Sequence, residues 1–380
     1  MSARLRLIWP PLLAMLVALC FAAWRMAPSG WDARALAQVG TRYAELLPEG
    51  TEGYDGQFAY FIATTPDPQS VASHLDVPAY RYQRILYPLL ARLLAAGRAE
   101  AIPWTLLLIN LAALGLGTWA VAALLEEAGL WTGYALGFGL WVGMIGGVGL
   151  DLTEPLAYAL VALGWVARRR GRGVLAAVFF GLALFAKETT LLFWGAVVAS
   201  DSGVFLAVRR TRARSESGSN SVPPGFLVNL FAGGAFLVWQ LTLWRVFGRP
   251  GLGSGGAMAT PFEPIPFMGL WRIGQVKPEA LLLFLVIFGP TVLFPILWAL
   301  VISVRDLARR RWEGETLALL LNAGALLFLP FSTFREPLGL VRAATGLVLA
   351  VLLYAVRNRL RRPLNYSLFW IALLALLVAR

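Results

Sequence analysis

The chain has 380 residues, 58% of them hydrophobic and 14% charged, with a mean hydropathy of +0.68. A soluble domain of this length does not require so apolar a composition, which places the chain among integral membrane proteins. The net charge of +12 comes from 33 basic against 21 acidic residues, but the basic residues gather in short clusters between apolar runs. That is the pattern of cytoplasmic loops and anionic lipid contact, and it argues against a nucleic-acid partner.

Apolar stretches of about 17–25 residues recur from end to end, each long enough to cross a hydrocarbon core of about 30 Å as a helix. In chain order, helices are expected near 5–26, 102–125, 131–149, 152–167, 174–187, 189–208, 226–247, 280–304, 315–334, 337–356 and 365–380. The fold class is therefore all-α integral membrane, roughly ten or eleven transmembrane helices in a single domain over 1–380. Arg4 and Arg6 followed by the apolar run Ile8 to Trp24 fit a retained signal anchor, with a cleaved signal peptide as the alternative. The single Cys20 lies in that first span and forms no internal disulfide.

Alternating spans put the clusters Arg168 to Arg172, Arg209 to Arg214, Arg305 to Arg311 and Arg357 to Arg362 on one side, which the positive-inside rule makes the cytoplasm. With the N-terminus cytoplasmic, residues 28–100 become a long extracytoplasmic first loop and 248–279 a second one. Within the first loop, the amphipathic stretch Asp32 to Leu47, Gln57 to Ala63 and Tyr82 to Ala96 read as interfacial helices; Tyr82 to Ala96 reads alternatively as a short span. The Ser-rich part of 209–225 is a flexible cytoplasmic connector. Gly139, Gly143 and Gly147 form consecutive small-xxx-small steps, a signature of close helix packing. No internal repeat of the kind that marks many transporters is visible.

The charges outside the basic clusters carry the functional signal. Asp55 falls in the first loop, Asp151 and Glu154 at the next external turn, Lys187 and Glu188 at the one after, and Arg335 and Glu336 at the last, with Arg342 about two turns into the following helix. Ionisable groups at a membrane boundary are costly, so a convergent set is a functional candidate. Arginine forks and a lysine suit a phosphate, and a carboxylate within reach can take the proton of an acceptor hydroxyl. Each residue also has a plain reading: Asp55 shapes a Tyr-Asp-Gly turn, Arg81 and Arg84 anchor the interface beside tyrosines, Asp151 and Glu154 cap a helix, and Lys187 pairs with Glu188. His74, the only histidine, reads as a solvated loop residue. No glycine-rich phosphate loop, no Cys/His metal spacing and no nucleophilic serine motif is present.

The segments Gly53-Tyr54-Asp55-Gly56-Gln57-Phe58-Ala59-Tyr60 and Tyr80-Arg81-Tyr82-Gln83-Arg84-Ile85-Leu86-Tyr87-Pro88-Leu89-Leu90 resemble the first external loop of bacterial GT-C-type membrane glycosyltransferases. These are polyprenyl-phosphate-sugar-dependent, mannosyltransferase-like enzymes of cell-surface glycopolymer formation. Lys187-Glu188-Thr189 resembles that family's lysine-glutamate turn. The resemblance covers the helical layout and about four short segments. It implies a hexosyltransferase of the bacterial inner membrane that passes a sugar, with inversion, from a polyprenyl-phosphate donor to an extracytoplasmic glycan, glycolipid or protein acceptor. It makes Asp55 the catalytic carboxylate and Arg81 and Arg84 donor-phosphate or structural contacts; the placement of charges adds Arg342, Arg335 and Lys187 as donor-phosphate ligands and Tyr54, Gln57, Asp151, Glu154, Glu188 and Glu336 as substrate-binding or supporting residues. The family's better-known members carry adjacent acidic residues where Asp55 is followed by Gly56 and Gln57, which leaves open whether Asp55 acts as base, acceptor ligand or metal ligand, and leaves a divalent cation open. The alternatives are a transporter or flippase of a lipid-linked sugar, or a non-catalytic scaffold of envelope assembly.

Overall fold

The computed structural model describes residues 3–212 and 223–378. All regular structure among them is helical. The helices of eight or more residues before the midpoint are α1 (Ala3–Met26), α2 (Gly56–Thr64), α3 (Leu86–Leu94), α4 (Ile102–Glu127), α5 (Val142–Gly149), α6 (Glu154–Arg169), α7 (Gly173–Ala186) and α8 (Leu191–Arg212). They continue as α9 (Pro224–Phe247), α10 (Met268–Val276), α11 (Pro278–Phe288), α12 (Phe294–Ala308), α13 (Gly314–Leu327), α14 (Pro337–Arg357) and α15 (Arg361–Phe369). The connector expected over Ser215 to Ser221 lies outside the described residues, as do Ala213 and Arg214.

Five segments among the described residues are long and apolar enough to cross a membrane: Arg4–Ser29, Ala99–Glu127, Pro224–Phe247, Pro278–Ala308 and Pro337–Arg357. The last of the mid-chain pair joins α11 to α12 through a π turn at Gly289–Leu293, where Pro290 withholds an amide and widens the helix. α9 and α11 turn Phe231, Val238, Leu282 and Val286 outward at 79, 62, 65 and 66% exposure. In water such surface would be unfavourable, and these features are those of a multi-pass membrane protein. Gly173–Ala186 and Gly314–Leu327 are shorter apolar helices of 14 residues each. Residues 131–149 divide at Leu140-Trp141 into separate helical pieces, and 315–334 divides into α13 and the helix Phe331–Arg335. Residues 132–149 are buried throughout, surrounded by neighbouring helices.

α4, α6 and α14 form the centre, packing with α1, α5 and α7. The three spaced glycines do support close approach, but towards three neighbours. Gly139 meets Thr118 and Ala14, Gly143 meets Thr345 and Val341, and Gly147 meets Pro155. The two ends of α6 are chemically opposite. Glu154 occupies its first turn, beside a Pro155 that suits the start of a helix, and Arg168 and Arg169 occupy its last; at 1.5 Å per residue they stand roughly 20 Å apart. Around the arginine end lie the pairs Arg170–Glu127 (2.8 Å), Arg6–Glu126 (2.9 Å), Arg168–Asp201 (2.5 Å) and Arg357–Glu313 (3.0 Å), together with Tyr354, which donates to the buried Asp306 at 2.5 Å.

Residues 28–100 are ordered but less regular than their amphipathic pattern predicts. Asp32 to Leu47 is not one helix: Arg34–Ala37 and Thr41–Ala44 are single turns, parted where Gln38 takes a left-handed φ of +50° and Gly40 is extended. Tyr82 to Ala96 yields α3, whose nine residues reach only about 13 Å and cannot span a bilayer. α2 buries Phe58, Ala59, Ile62 and Ala63 and packs against α3 and α4.

Candidate functional site

Tyr54 and Asp55 precede α2, where Gly56 has no side chain because the Leu150 carbonyl occupies the place a Cβ would take. That approach ties the start of α2 to the turn between α5 and α6, which carries Asp151, Thr153 and Glu154. Asn110 in α4 clamps the same turn by donating from Nδ2 to the carbonyls of Gly147 (3.3 Å) and Leu152 (3.0 Å). Arg81 closes the short helix Pro78–Tyr82, Arg84 follows it, Lys187 and Glu188 fill the junction between α7 and α8, and Arg342 lies in the second turn of α14. Helix packing thus delivers groups separated by nearly 290 positions to one place.

Asp55 joins them. Its Oδ1 lies 3.0 Å from Arg81 Nη2 and its Oδ2 2.7 Å from Arg342 Nη2. Arg81 is also held by Asp76, with Nε and Nη2 donating at 2.7 and 2.8 Å, and its guanidinium stands 4.1 Å over the Phe58 ring. Arg342 donates from Nε to Glu154 Oε1 at 2.7 Å and from Nη1 to the Tyr54 hydroxyl at 3.2 Å. That hydroxyl in turn donates to Glu336 Oε1 at 2.8 Å. Lys187 Nζ donates to the same Glu154 oxygen at 3.1 Å, and Arg84 grips Glu188 with both arms at 2.6 and 2.8 Å while bonding the Tyr80 hydroxyl at 2.5 Å.

This geometry settles several of the plain readings. Asp55 makes no capping bond at the start of α2, so its carboxylate serves the arginines and not the turn. Glu154 sits in a first helical turn but spends Oε1 on two cations. Lys187 and Glu188 do not pair with each other; they reach Glu154 and Arg84 respectively. Arg81 and Arg84 are buried, at 8 and 6% exposure, too deep for interfacial anchors. His74 is half-buried with Nδ1 2.6 Å from the Tyr43 carbonyl, not a freely solvated residue. Gln57 is buried and braces the loop, accepting from Gly40 N and donating to the Glu52 carbonyl. Arg335 stands apart: it is exposed, and its recorded contact is with the Phe331 ring at 6.0 Å. Asp76 and Tyr80 were not singled out from sequence. Asp76 lies five residues before Arg81 across an extended Val77, a spacing that matches no helical pairing rule.

Asp55, Arg81, Arg84 and Arg342 line a small cleft, and Phe58, Ile62, Pro88 and Leu152 supply apolar walls. Asp55, with 28% of its side chain exposed, is the most accessible member of the bridge formed with Arg81 and Arg342, whose side chains are 7 and 12% exposed. Burial pushes its carboxyl up, but the Arg81 and Arg342 guanidiniums outweigh that and hold it well below the usual carboxylate range. The opposite holds at Asp151. It is fully buried with a left-handed φ of +49°, and burial alone pushes its carboxyl well above the usual range. Among the described residues no group of three or more His, Cys, Asp or Glu side chains is arranged to hold a metal ion. Compared with known protein families, with curated proteins and with solved structures, the chain shows no match.

Removing one member of a buried ion pair strands its partner, at a cost of about 3–5 kcal/mol. Arg84→Gln and Glu188→Gln should each therefore lower the unfolding temperature in detergent clearly. The double variant should lose much less than the sum, because neither group is then left unpaired. Additive losses in that cycle would show that the 2.6 Å contact contributes no coupling.

Proposed function

We propose that the chain is a GT-C-like glycosyltransferase, moving a sugar from a polyprenyl-phosphate donor to an envelope acceptor on the extracytoplasmic side of a bacterial cytoplasmic membrane. The observation that carries this reading is the Asp55 carboxylate clasped between Arg81 and Arg342 at the mouth of a cleft. Forked cations are what a phosphate leaving group needs, and a carboxylate is what an acceptor hydroxyl needs. Here one pair of arginines and one carboxylate occupy each other.

An arriving donor phosphate competes with Asp55 for the two guanidiniums. Once displaced, Asp55 loses the charges that suppress its basicity. The acceptor oxygen then bonds to the anomeric carbon as its proton passes to Asp55. The carbon–oxygen bond on the opposite face breaks, and its electron pair stays on the phosphate, where Arg342 and Arg81 stabilise the added charge. Attack and departure on opposite faces invert the centre. Glu154, itself held by Lys187, keeps Arg342 aimed throughout. Arg342 lies five residues past Pro337, about 8 Å along α14, a depth at which a polyprenyl tail stays in lipid while its sugar reaches the cleft. The basic clusters near the other ends of α6 and α14 support a cytoplasmic assignment for those ends.

Three outcomes test this. In a Cys20→Ala background, Ser254→Cys should react with an impermeant thiol reagent only from outside, and Arg309→Cys only from the cytoplasm; reaction of both from one side overturns the sidedness. With purified protein and a panel of radiolabelled polyprenyl-phosphate sugars, Asp55→Asn should reduce transfer about 10²–10⁴-fold without loss of expression, and full activity would remove it from the mechanism. Arg342→Lys should raise the KM for donor although the charge is retained, because the fork that meets phosphate is lost. Donor binding unchanged in that variant would place the phosphate elsewhere.

A further inference from the structure

Buried polar atoms are nearly always partnered, so those that are not call for an explanation. Three such groups sit side by side in the turn between α5 and α6. Both Asp151 oxygens, Thr153 Oγ1 and Glu154 Oε2 are buried without a hydrogen-bond partner among the described residues. Asp151 and Thr153 line the same cleft as Asp55 and Arg342.

The turn is built rather than loose. Asp151 adopts a left-handed backbone, which costs a non-glycine residue free energy and persists only where the surroundings enforce it. Here the enforcement is visible in Leu152 N donating to the Gly147 carbonyl at 2.9 Å, in the Asn110 clamp, and in the Gly56–Leu150 approach that fixes the turn relative to Asp55. The polar groups nearby are committed elsewhere. Tyr87 donates to the Leu106 carbonyl and accepts from Asn110, and Arg342 is divided among Asp55, Glu154 and Tyr54.

We propose that Asp151 and Thr153 form a hydroxyl-recognition wall of the cleft, binding two or more hydroxyls of a polyhydroxylated ligand in the cleft whose arginines take its phosphate. An unpaired carboxylate in such a place is prohibitively costly, so Asp151 is held as the neutral acid. In that form it donates one hydrogen bond and accepts others, and Thr153 does the same through its hydroxyl. A sugar carries both donors and acceptors in vicinal pairs and matches this wall, whereas a second phosphate does not. The assignment of the ligand as a sugar rests on the glycosyltransferase reading; the wall itself does not.

The test uses the full-length protein in detergent and dicyclohexylcarbodiimide, a lipophilic reagent that modifies neutral buried carboxyls, with peptide mass spectrometry as the readout and Asp151→Asn as the blank. Asp151 should be modified in the wild type, and saturating methyl α-mannoside or methyl α-glucoside should cut that modification several-fold, whereas inorganic phosphate should not. Thr153→Val, which keeps the shape and removes the hydroxyl, should abolish the protection while Asp151 stays reactive. An unreactive Asp151, or modification indifferent to every methyl glycoside, overturns the proposal whether or not sugar transfer is detected. Protection without any transfer from the lipid-linked panel would leave the wall standing and remove the glycosyltransferase reading.

Discussion

Arg342 holds the architecture of the site together. Its guanidinium touches Asp55 from the first loop, Glu154 from the start of α6 and Tyr54 beside Asp55, so one side chain ties a long loop to two central helices. A lysine could not do this. Three partners in different directions require several donors held in a plane, which guanidinium supplies and an ammonium on a flexible stem does not. Around it the pairing is nearly closed: Asp55 and Glu154 are each shared by two cations, while Arg84 and Glu188 pair with each other, so removing either of those two strands a buried charge.

The same closure sets this end of the protein apart from the other. At the arginine end, the pairs involving Arg6, Arg170 and Arg357 have cation side chains 48, 42 and 49% exposed, where such contacts contribute little and water or lipid headgroups compete. At the cleft, the cations Arg81, Arg84, Lys187 and Arg342 are mostly covered. Strength of pairing therefore follows burial, and it concentrates where a second loop also arrives: Ala257 N donates at 3.0 Å to Asp76 Oδ2, the carboxylate that holds Arg81. The segment after α9 is thereby connected to Asp55 through two successive ion pairs.

Much of this was legible in the sequence because charge is conspicuous in an apolar chain. Asp55, Glu154, Lys187, Glu188, Glu336 and Arg342 stand out simply by lying away from the arginine clusters, and the structure brings them together with Arg81, Arg84 and Tyr54. What sequence could not supply was the pairing. Spacing along a helix says which side chains share a face, but Arg84 with Glu188 and Asp55 with Arg342 meet through tertiary packing, so Arg81, Arg84, Lys187 and Arg342, expected to be open for phosphate, are each matched to a carboxylate. Arg335 shares its sequence neighbourhood with Glu336 yet points away from the cluster, for a five-residue helix ends there and Glu336 alone is reached by Tyr54. Hydropathy likewise marked where apolar segments lie. It did not distinguish a full crossing from a shorter helix enclosed by others, because both are equally apolar, and the left-handed Gln38 interrupting Asp32 to Leu47 has no glycine to announce it.

The charge balance of the cluster also bears on how it would work under the proposed function. Arg81, Arg84, Lys187 and Arg342 face Asp55, Asp76, Glu154, Glu188 and Glu336, four cations against five carboxylates. A phosphate entering this site adds negative charge to a set already in slight excess, and in a partly desolvated cleft that excess is expensive. The least costly relief is a proton on the carboxylate that has just lost its partners, and Asp55 is both the most exposed of the arginine-bridge members and the one the phosphate displaces. That proton is the one Asp55 takes from the acceptor hydroxyl, so anion binding raises the basicity of the carboxylate by electrostatics alone. The donor prepares the base for the acceptor, and before the donor arrives the same carboxylate, clasped by two arginines, has no tendency to take a proton from water.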